Sequence, residues 1–419
     1  MVKAALRSGA ANRRAVFEVF ARHLPHGRRY GVVAGTGRLL DALEDFRFDG
    51  ETLDFLQSCG IVDGRTLEYL ESYRFAGDIW GYGEGDCYFP GSPILVVDGQ
   101  FAEAVVLETI ALSILNHDSA VASAASRMVS AAVGRPIIEM GSRRTHEAAA
   151  VASARAAYIA GFTSTSNLQA YKSFGIPSAG TSAHAFTLVH DSERHAFATQ
   201  LEALGKATTL LVDTFEVERA VRTAVELAGP DLGAVRIDSG DLAASAREVR
   251  VLLDSLGAAN TRIVVTGDLD EYGIAALGAA PVDGYGVGTS VVTGSGAPTA
   301  SLVYKLVART DGDADQSRLR PVAKRSVGKP GRGGRKWAMR HRDERGRALA
   351  EVISLGPPEA GPHDRLLLRP LVRGGEIVGR EPITEARERH TQALAELTPQ
   401  ALQLSRGDPA IPVFWPDGE

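Results

Sequence analysis

Cysteine is nearly missing from this chain: Cys59 and Cys87 are the only two in 419 residues. They have no metal-ligand spacing and cannot build a disulfide framework, which excludes a stapled extracellular scaffold and suits a reducing cytosol. An excess of basic charge is missing too. The formal net charge of -5 speaks against a nucleic-acid binder, which needs a basic footprint. No long apolar run is present either. The opening MVKAALRSGAANRR lacks the apolar core of a signal peptide. The most apolar helical stretch, 101–132, is broken by Glu103, Glu108, His117 and Asp118, so it reads as a buried helix pair and not a membrane span. No internal repeat or heptad array is visible. The length exceeds that of one small domain and calls for two domains, or a barrel with additions.

The first 115 residues read as α+β. Val16, Val19, Phe20 and Leu24 recur with helical spacing in RRAVFEVFARHL (13–24), which predicts a helix there. RRYGVVAG follows as a short strand. GTGRLLDALEDF, ETLDFLQSCG and GRTLEYLESYRF read as three helices, and DCYFPGSPILVVDG returns to strand character.

From about residue 116 short apolar strand candidates recur at 136–141, 157–162, 177–181, 208–214, 234–241, 262–269 and 284–289, with helix-like runs between most of them. That alternation predicts parallel βα units closing into a barrel. Nearly every candidate ends in a polar or Gly-rich cluster: GSRR, TSTSN, GTSAH, DT, DSGD, TGDLD, GVGT. In a βα-barrel those are the strand ends where sites are built. Beyond Lys305 the run 324–347 is basic and Gly-rich and reads as a hairpin or loop. It is either a solvated face or a cover for a polyphosphate.

Within GIPSAGTSAHAF (175–186), Pro177 ends what precedes it and Gly180-Thr181 reads as a tight turn. Thr181 and His184 then stand at an expected helix start, where free N–H groups favour an anion. The plainer reading makes Thr181 a cap and His184 a packing residue. The Gly- and hydroxyl-rich turns suit phosphates, while Arg143, Arg144, Arg236, Asp238, Asp241 and Asp268 could grip anions, ribose hydroxyls or a phosphate-chelated Mg2+. Asp241 could equally cap the helix that follows it. Together the clusters point to a phosphosugar or nucleotide substrate.

The ordered set EMGSRR, GFTSTSN, GTSAHAF, RIDSGD, TGDL, GVGT and YKLV, with FPGSPILVV before it and GRKWAMR after it, closely resembles the nicotinate phosphoribosyltransferase family over nearly the whole chain. The resemblance implies an α/β protein. Its irregular βα-barrel, of type II phosphoribosyltransferase kind, spans 116–323. An α+β domain is built from 1–115, with 324–419 packing on it. It also implies a cytoplasmic homodimer that converts nicotinate and phosphoribosyl pyrophosphate to nicotinate mononucleotide and pyrophosphate. The reaction is coupled to ATP hydrolysis through a phosphohistidine at His184 and requires Mg2+, which arrives with phosphoribosyl pyrophosphate and ATP. No dedicated protein metal site, nucleic-acid partner or membrane contact is implied.

By the same resemblance the catalytic residues are His184, Arg236 and Asp238. Arg143 contacts the phosphoribosyl side, and Thr181, Gly267, Asp268, Gly286, Gly288 and Thr289 form phosphate-binding turns. Ser166 stands where nicotinamide-using relatives carry an aspartate, and this favours a carboxylate-bearing ring. A buried strand-end ion pair is the alternative for Arg236 and Asp238. Met140 replaces a frequent phenylalanine and Phe215 a frequent tyrosine. The family's opening T-D-x-Y-E-L-T-M stretch supplies a ring-stacking tyrosine, and Met1 falls at the end of that stretch. The reading therefore expects either a start assigned too late or an impaired, silent paralogue. A relative using nicotinamide or quinolinate is the third option.

Overall fold

Arg14–Ala21 is a strand, not the helix that its apolar spacing suggests. It lies inside a sheet, flanked by antiparallel partners Leu95–Gln100 and Leu302–Arg309. Ala15 to Val19 are all buried. A strand covered on both faces needs no polar alternation, and Val and Phe suit it better than a helix.

The computed structural model describes residues 1–311, 318–324 and 332–416. They fall into two compact units, Met1–Ala120 with Thr299–Glu419, and Val121–Pro298. Among the described residues, the first unit centres on a seven-stranded sheet in which three adjacent strands from the first hundred residues are flanked on each side by a pair from beyond residue 301. Its core holds Val16, Val19, Leu95, Val97, Tyr304 and Leu371. The strands Trp337–Arg342 and Ala348–Ser354 form an antiparallel hairpin. This bears out the hairpin reading for the described part of the basic run; residues 325–331 of that run lie outside the described residues. Arg340 is wholly buried against Glu351, against Glu396 at 3.2 Å and against the Cys87 carbonyl at 2.7 Å. The 101–132 stretch is the expected helix pair, Phe101–Val106 and Glu108–Ala132.

The second unit carries a parallel sheet of six strands. In spatial order they are Ser164–Thr165, Ile137–Glu139, Gly284–Val287, Arg262–Val265, Ala234–Ile237 and Thr209–Leu211. Helices such as Val217–Ala228 and Leu242–Ser255 lie between consecutive strands. Two strand expectations fail. Residues 157–159 end the helix Glu147–Ile159, because EAAAVASARAAYI is rich in strong helix formers and the strand begins only at Ser164. Residues 177–181 form no ladder, only a single parallel bridge between Ser178 and Thr165. The architecture is an irregular βα-barrel in which side chains link this seventh segment and the residues after it to Ala234–Ile237 and to Thr214.

Candidate active site

The closing bonds come from the GTSAH segment. Arg236, on the strand Ala234–Ile237, donates through Nη1 to Thr181 Oγ1 and to the Ser182 carbonyl at 3.4 Å. His184 Nδ1 lies 3.1 Å from Thr214 Oγ1, just beyond Thr209–Leu211. The expected cap role of Thr181 is not what it does. The helix His184–Leu188 is capped by Ala183 without a side-chain bond, and Thr181 instead holds the guanidinium. Gly180 takes no left-handed φ and would admit a Cβ freely.

Arg236 also donates from Nε to Thr266 Oγ1 at 2.9 Å and from Nη2 to Asp238 Oδ1 at 2.8 Å. Thr266 donates its hydroxyl to the same carboxylate oxygen. The other oxygen of Asp238 lies 3.7 Å from His184 Nε2. Burial alone works to raise the Asp238 carboxyl. The bonds from Thr266 and Arg236 and the nearby charges of Arg236 and His184 outweigh it and hold the group below the ordinary carboxylate range. The Asp238 N–H and the Ser239 hydroxyl both donate to Asp213 Oδ2, at 2.8 Å each, and Asp213 Oδ1 is a buried atom with no partner among the described residues. Arg236 and Asp238 thus make the strand-end ion pair, and they make it beside His184.

A second group sits at the other side of the sheet. The fully buried Glu139 accepts from the Gly141 N–H and from Thr165 Oγ1 at 2.6 Å. Arg143 follows in the turn after this strand and is exposed. Ser166 is exposed after Thr165, with its N–H on the Glu139 carbonyl at 2.8 Å. Gly286, on the strand between the two groups, is where they meet: a Cβ there would lie 2.4 Å from Thr266 Cγ2 and 2.7 Å from Met140 Sδ. Gly288 packs on the Met140 carbonyl and Thr289 opens the short helix Thr289–Val292. Gly267 has φ +117°, and a Cβ on it would lie 2.5 Å from the Asp238 carbonyl oxygen. Asp268 is exposed at φ 45°. Asp241 caps Leu242–Ser255 through the N–H groups of Ala243 and Ala244, the helix-capping alternative.

Residues 1–116 match the family model described as the nicotinate phosphoribosyltransferase N-terminal domain. Nicotinate phosphoribosyltransferase pncB1 of Mycobacterium tuberculosis is 56% identical over 98% of this chain and 92% of its own length. The chain belongs to the nicotinate phosphoribosyltransferase family. A Bacillus subtilis member is 37% identical over 72% of this chain and 63% of its own length. The solved human nicotinic acid phosphoribosyltransferase superposes with a TM-score of 0.83 at 25% identity, covering 99% of this chain and 96% of that one. A nicotinate-nucleotide pyrophosphorylase from Pyrococcus furiosus follows at 0.76, with 25% identity over 94% and 92%.

Within this family frame, sequence reasoning missed Asp213, Thr214 and Thr266 as members of the His184 group, and Glu139 as the centre of the other. Their signal was present in part. LLVDT and VVTGD are strand-end clusters, but nothing in either segment says which distant residue its hydroxyl or carboxylate meets.

Proposed function

We propose that this barrel mouth transfers the phosphoribosyl group of phosphoribosyl pyrophosphate to nicotinate, releasing pyrophosphate, and that ATP charges the site by phosphorylating His184. The observation that carries the reading is the convergence of His184, Asp238, Arg236, Thr181 and Thr266 from three separate segments onto one strand-end cluster. In the neutral tautomer whose Nδ1–H donates to Thr214 Oγ1, Nε2 keeps its lone pair and can attack the γ-phosphorus of ATP. The N–P bond forms as the bond to ADP breaks, and water later returns the imidazole. A phosphoryl group there adds negative charge beside Asp238, and Arg236 is the adjacent cation that offsets it.

Transfer at the ribose C1 passes through an oxocarbenium-like state, so catalysis rests on placing the ring nitrogen and receiving the departing pyrophosphate. Arg143 holds the phosphoribosyl side, Ser166 receives the carboxylate-bearing pyridine, and the turns at Gly267-Asp268 and Gly286 to Thr289 receive phosphate. Asp213 Oδ1, buried and unpartnered beside Asp238, fits Mg2+ held chiefly by substrate phosphates and one or two carboxylates. No group of three or more His, Cys, Asp or Glu among the described residues forms a cage of its own. Mg2+ would neutralise the leaving pyrophosphate. The proposal includes a homodimer acting in the cytoplasm. Among the described residues no helix is long and apolar enough to cross a membrane.

The test is direct: the purified full chain is given nicotinate, phosphoribosyl pyrophosphate and Mg2+, with and without ATP, and nicotinate mononucleotide is measured. Product formation that ATP stimulates, with phosphate found on His184, is the expected result. Absence of product under both conditions would overturn the reading.

A further inference from the structure

Glu139 stands apart from every other carboxylate at the barrel mouth. Its side chain is wholly buried, and among the described residues no cation pairs with it; burial pushes its carboxyl up, and the bonds from Thr165 and Gly141 oppose that. A carboxylate buried without a cation is costly, so its two hydrogen-bond donors matter. One is the Gly141 N–H, at the start of the turn that carries Arg143. The other is the Thr165 hydroxyl, one residue before Ser166.

The bonds spread outward from that point. The Glu139 carbonyl accepts from the Ser166 N–H at 2.8 Å. Thr165 Oγ1 accepts from the Asn167 N–H at 3.0 Å, and Asn167 Nδ2 donates to Ser142 Oγ at 3.0 Å. On its backbone, Thr165 donates to the Pro177 carbonyl and accepts from the Ala179 N–H, each at 3.0 Å. Thr165 is therefore also the footing of the segment that delivers Thr181 and His184. One buried carboxylate fixes one turn directly and a second through the Thr165 hydroxyl, and the third is footed on the backbone of that same threonine.

We infer that Glu139 is a positioning residue of the transferase, whose buried carboxylate sets the register of the Arg143 turn against the Ser166 turn. Through that register it governs nicotinate affinity and the choice between nicotinate and nicotinamide. The inference rests on the substrate roles proposed above for Arg143 and Ser166. Only a carboxylate offers an acceptor to each donor while leaving the Thr165 oxygen open to Asn167. An amide nearly matches it, with its oxygen on Gly141 and its N–H on Thr165.

Three full-length variants test this: Glu139→Ala, the near-isosteric Thr165→Val, and Glu139→Gln as the conservative rescue. Amide hydrogen exchange of peptides covering 140–145 and 164–167, read without ligand, reports the staple itself. KM and kcat for nicotinate, with nicotinamide as competitor, report its use. Glu139→Ala and Thr165→Val should lose protection in both peptides. Their nicotinate KM should rise about tenfold, the scale of one lost hydrogen bond, with narrowed discrimination against nicotinamide. Glu139→Gln should recover most of both. If Glu139→Ala does not fold, Thr165→Val decides. Unchanged protection, or a kcat that falls with the folded fraction while KM and selectivity stay put, would overturn the inference. A wild-type chain that makes no nicotinate mononucleotide counts against the function reading instead, and the exchange data still judge the staple.

Discussion

His184 and Asp238 face one another at 3.7 Å, imidazole Nε2 to carboxylate oxygen, while the second oxygen of Asp238 is taken up by Arg236 and Thr266. The imidazole is oriented from its other side by Thr214. An imidazole oriented through Nδ1, with Nε2 left open towards Asp238, is suited to carrying a phosphoryl group, and it lies outside the glycosyl bond being made. His184→Ala should therefore abolish ATP stimulation while basal transfer from phosphoribosyl pyrophosphate persists. Nicotinate mononucleotide formation with and without ATP checks this, and equal loss under both conditions would refute the role.

Ser166→Asp should reverse the pyridine preference. Ser166 is exposed at the strand end and its backbone is pinned by the Glu139 carbonyl, so the new carboxylate would stay where the serine hydroxyl was. Like charges brought together at a binding site cost several kcal/mol. The nicotinate KM should rise by roughly tenfold or more, and nicotinamide should gain as a substrate. Competition between the two pyridines reads the result; an unaltered preference would remove Ser166 from ring recognition.

Gly267→Ala should damage the site through the backbone. At φ +117° an added Cβ is strained and would lie 2.5 Å from the Asp238 carbonyl oxygen. The conformational penalty alone is about 1–2 kcal/mol, and relief of the clash must shift Asp238. A lower Tm and a fall in kcat/KM of about tenfold or more are expected, since small misplacements at a reacting centre are costly. Wild-type kinetics in this variant would show that the turn has slack the geometry does not suggest.

His390 gives the first unit an acid-labile point. Burial pushes it down to about 4 from 6.5, with the Gly85 carbonyl opposing and the Arg387 charge adding to the shift. The folded state keeps the imidazole neutral, whereas the unfolded chain takes up a proton below pH 6.5. Stability is therefore full above pH 6.5 and is lost as the pH falls towards 4, by about 3 kcal/mol in total. Denaturant midpoints at pH 7 and pH 4.5 should differ more in the wild type than in His390→Gln, which keeps a donor without the titration. Identical pH slopes for both proteins would dismiss His390 as the cause.

Most of the parallel core of the barrel was legible because five of its six strands are short, mainly apolar runs followed by a polar turn, and the turns carry family-specific residues; Ser164–Thr165, two polar residues, is the exception. Arg14–Ala21 was misread because Val16, Val19 and Phe20 satisfy a helical period by coincidence in a strand buried on both faces. Residues 157–162 were misread because an apolar run of alanines fits either state, and the preceding alanines decide for helix. Arg236 and Asp238 could be picked out because they share a strand. Their joint contact with Thr266, 30 and 28 residues away respectively, is a product of strand order. No local pattern encodes it. The same holds for Glu139 and Thr165, where an unremarked Glu in EMGSRR meets an unremarked Thr in TSTSN.

Arg14–Ala21 hydrogen-bonds on one side to Leu302–Arg309, a segment made almost three hundred residues later. During synthesis the whole of Val121–Pro298 emerges from the ribosome before that neighbour exists, so one of the most deeply covered strands in the protein must wait with one edge unsatisfied. An exposed strand edge is a template for pairing with other chains. The nascent chain is therefore open to mispairing for the whole time in which Val121–Pro298 is made, and a ribosome stalled before residue 302 would present an aggregation-prone product.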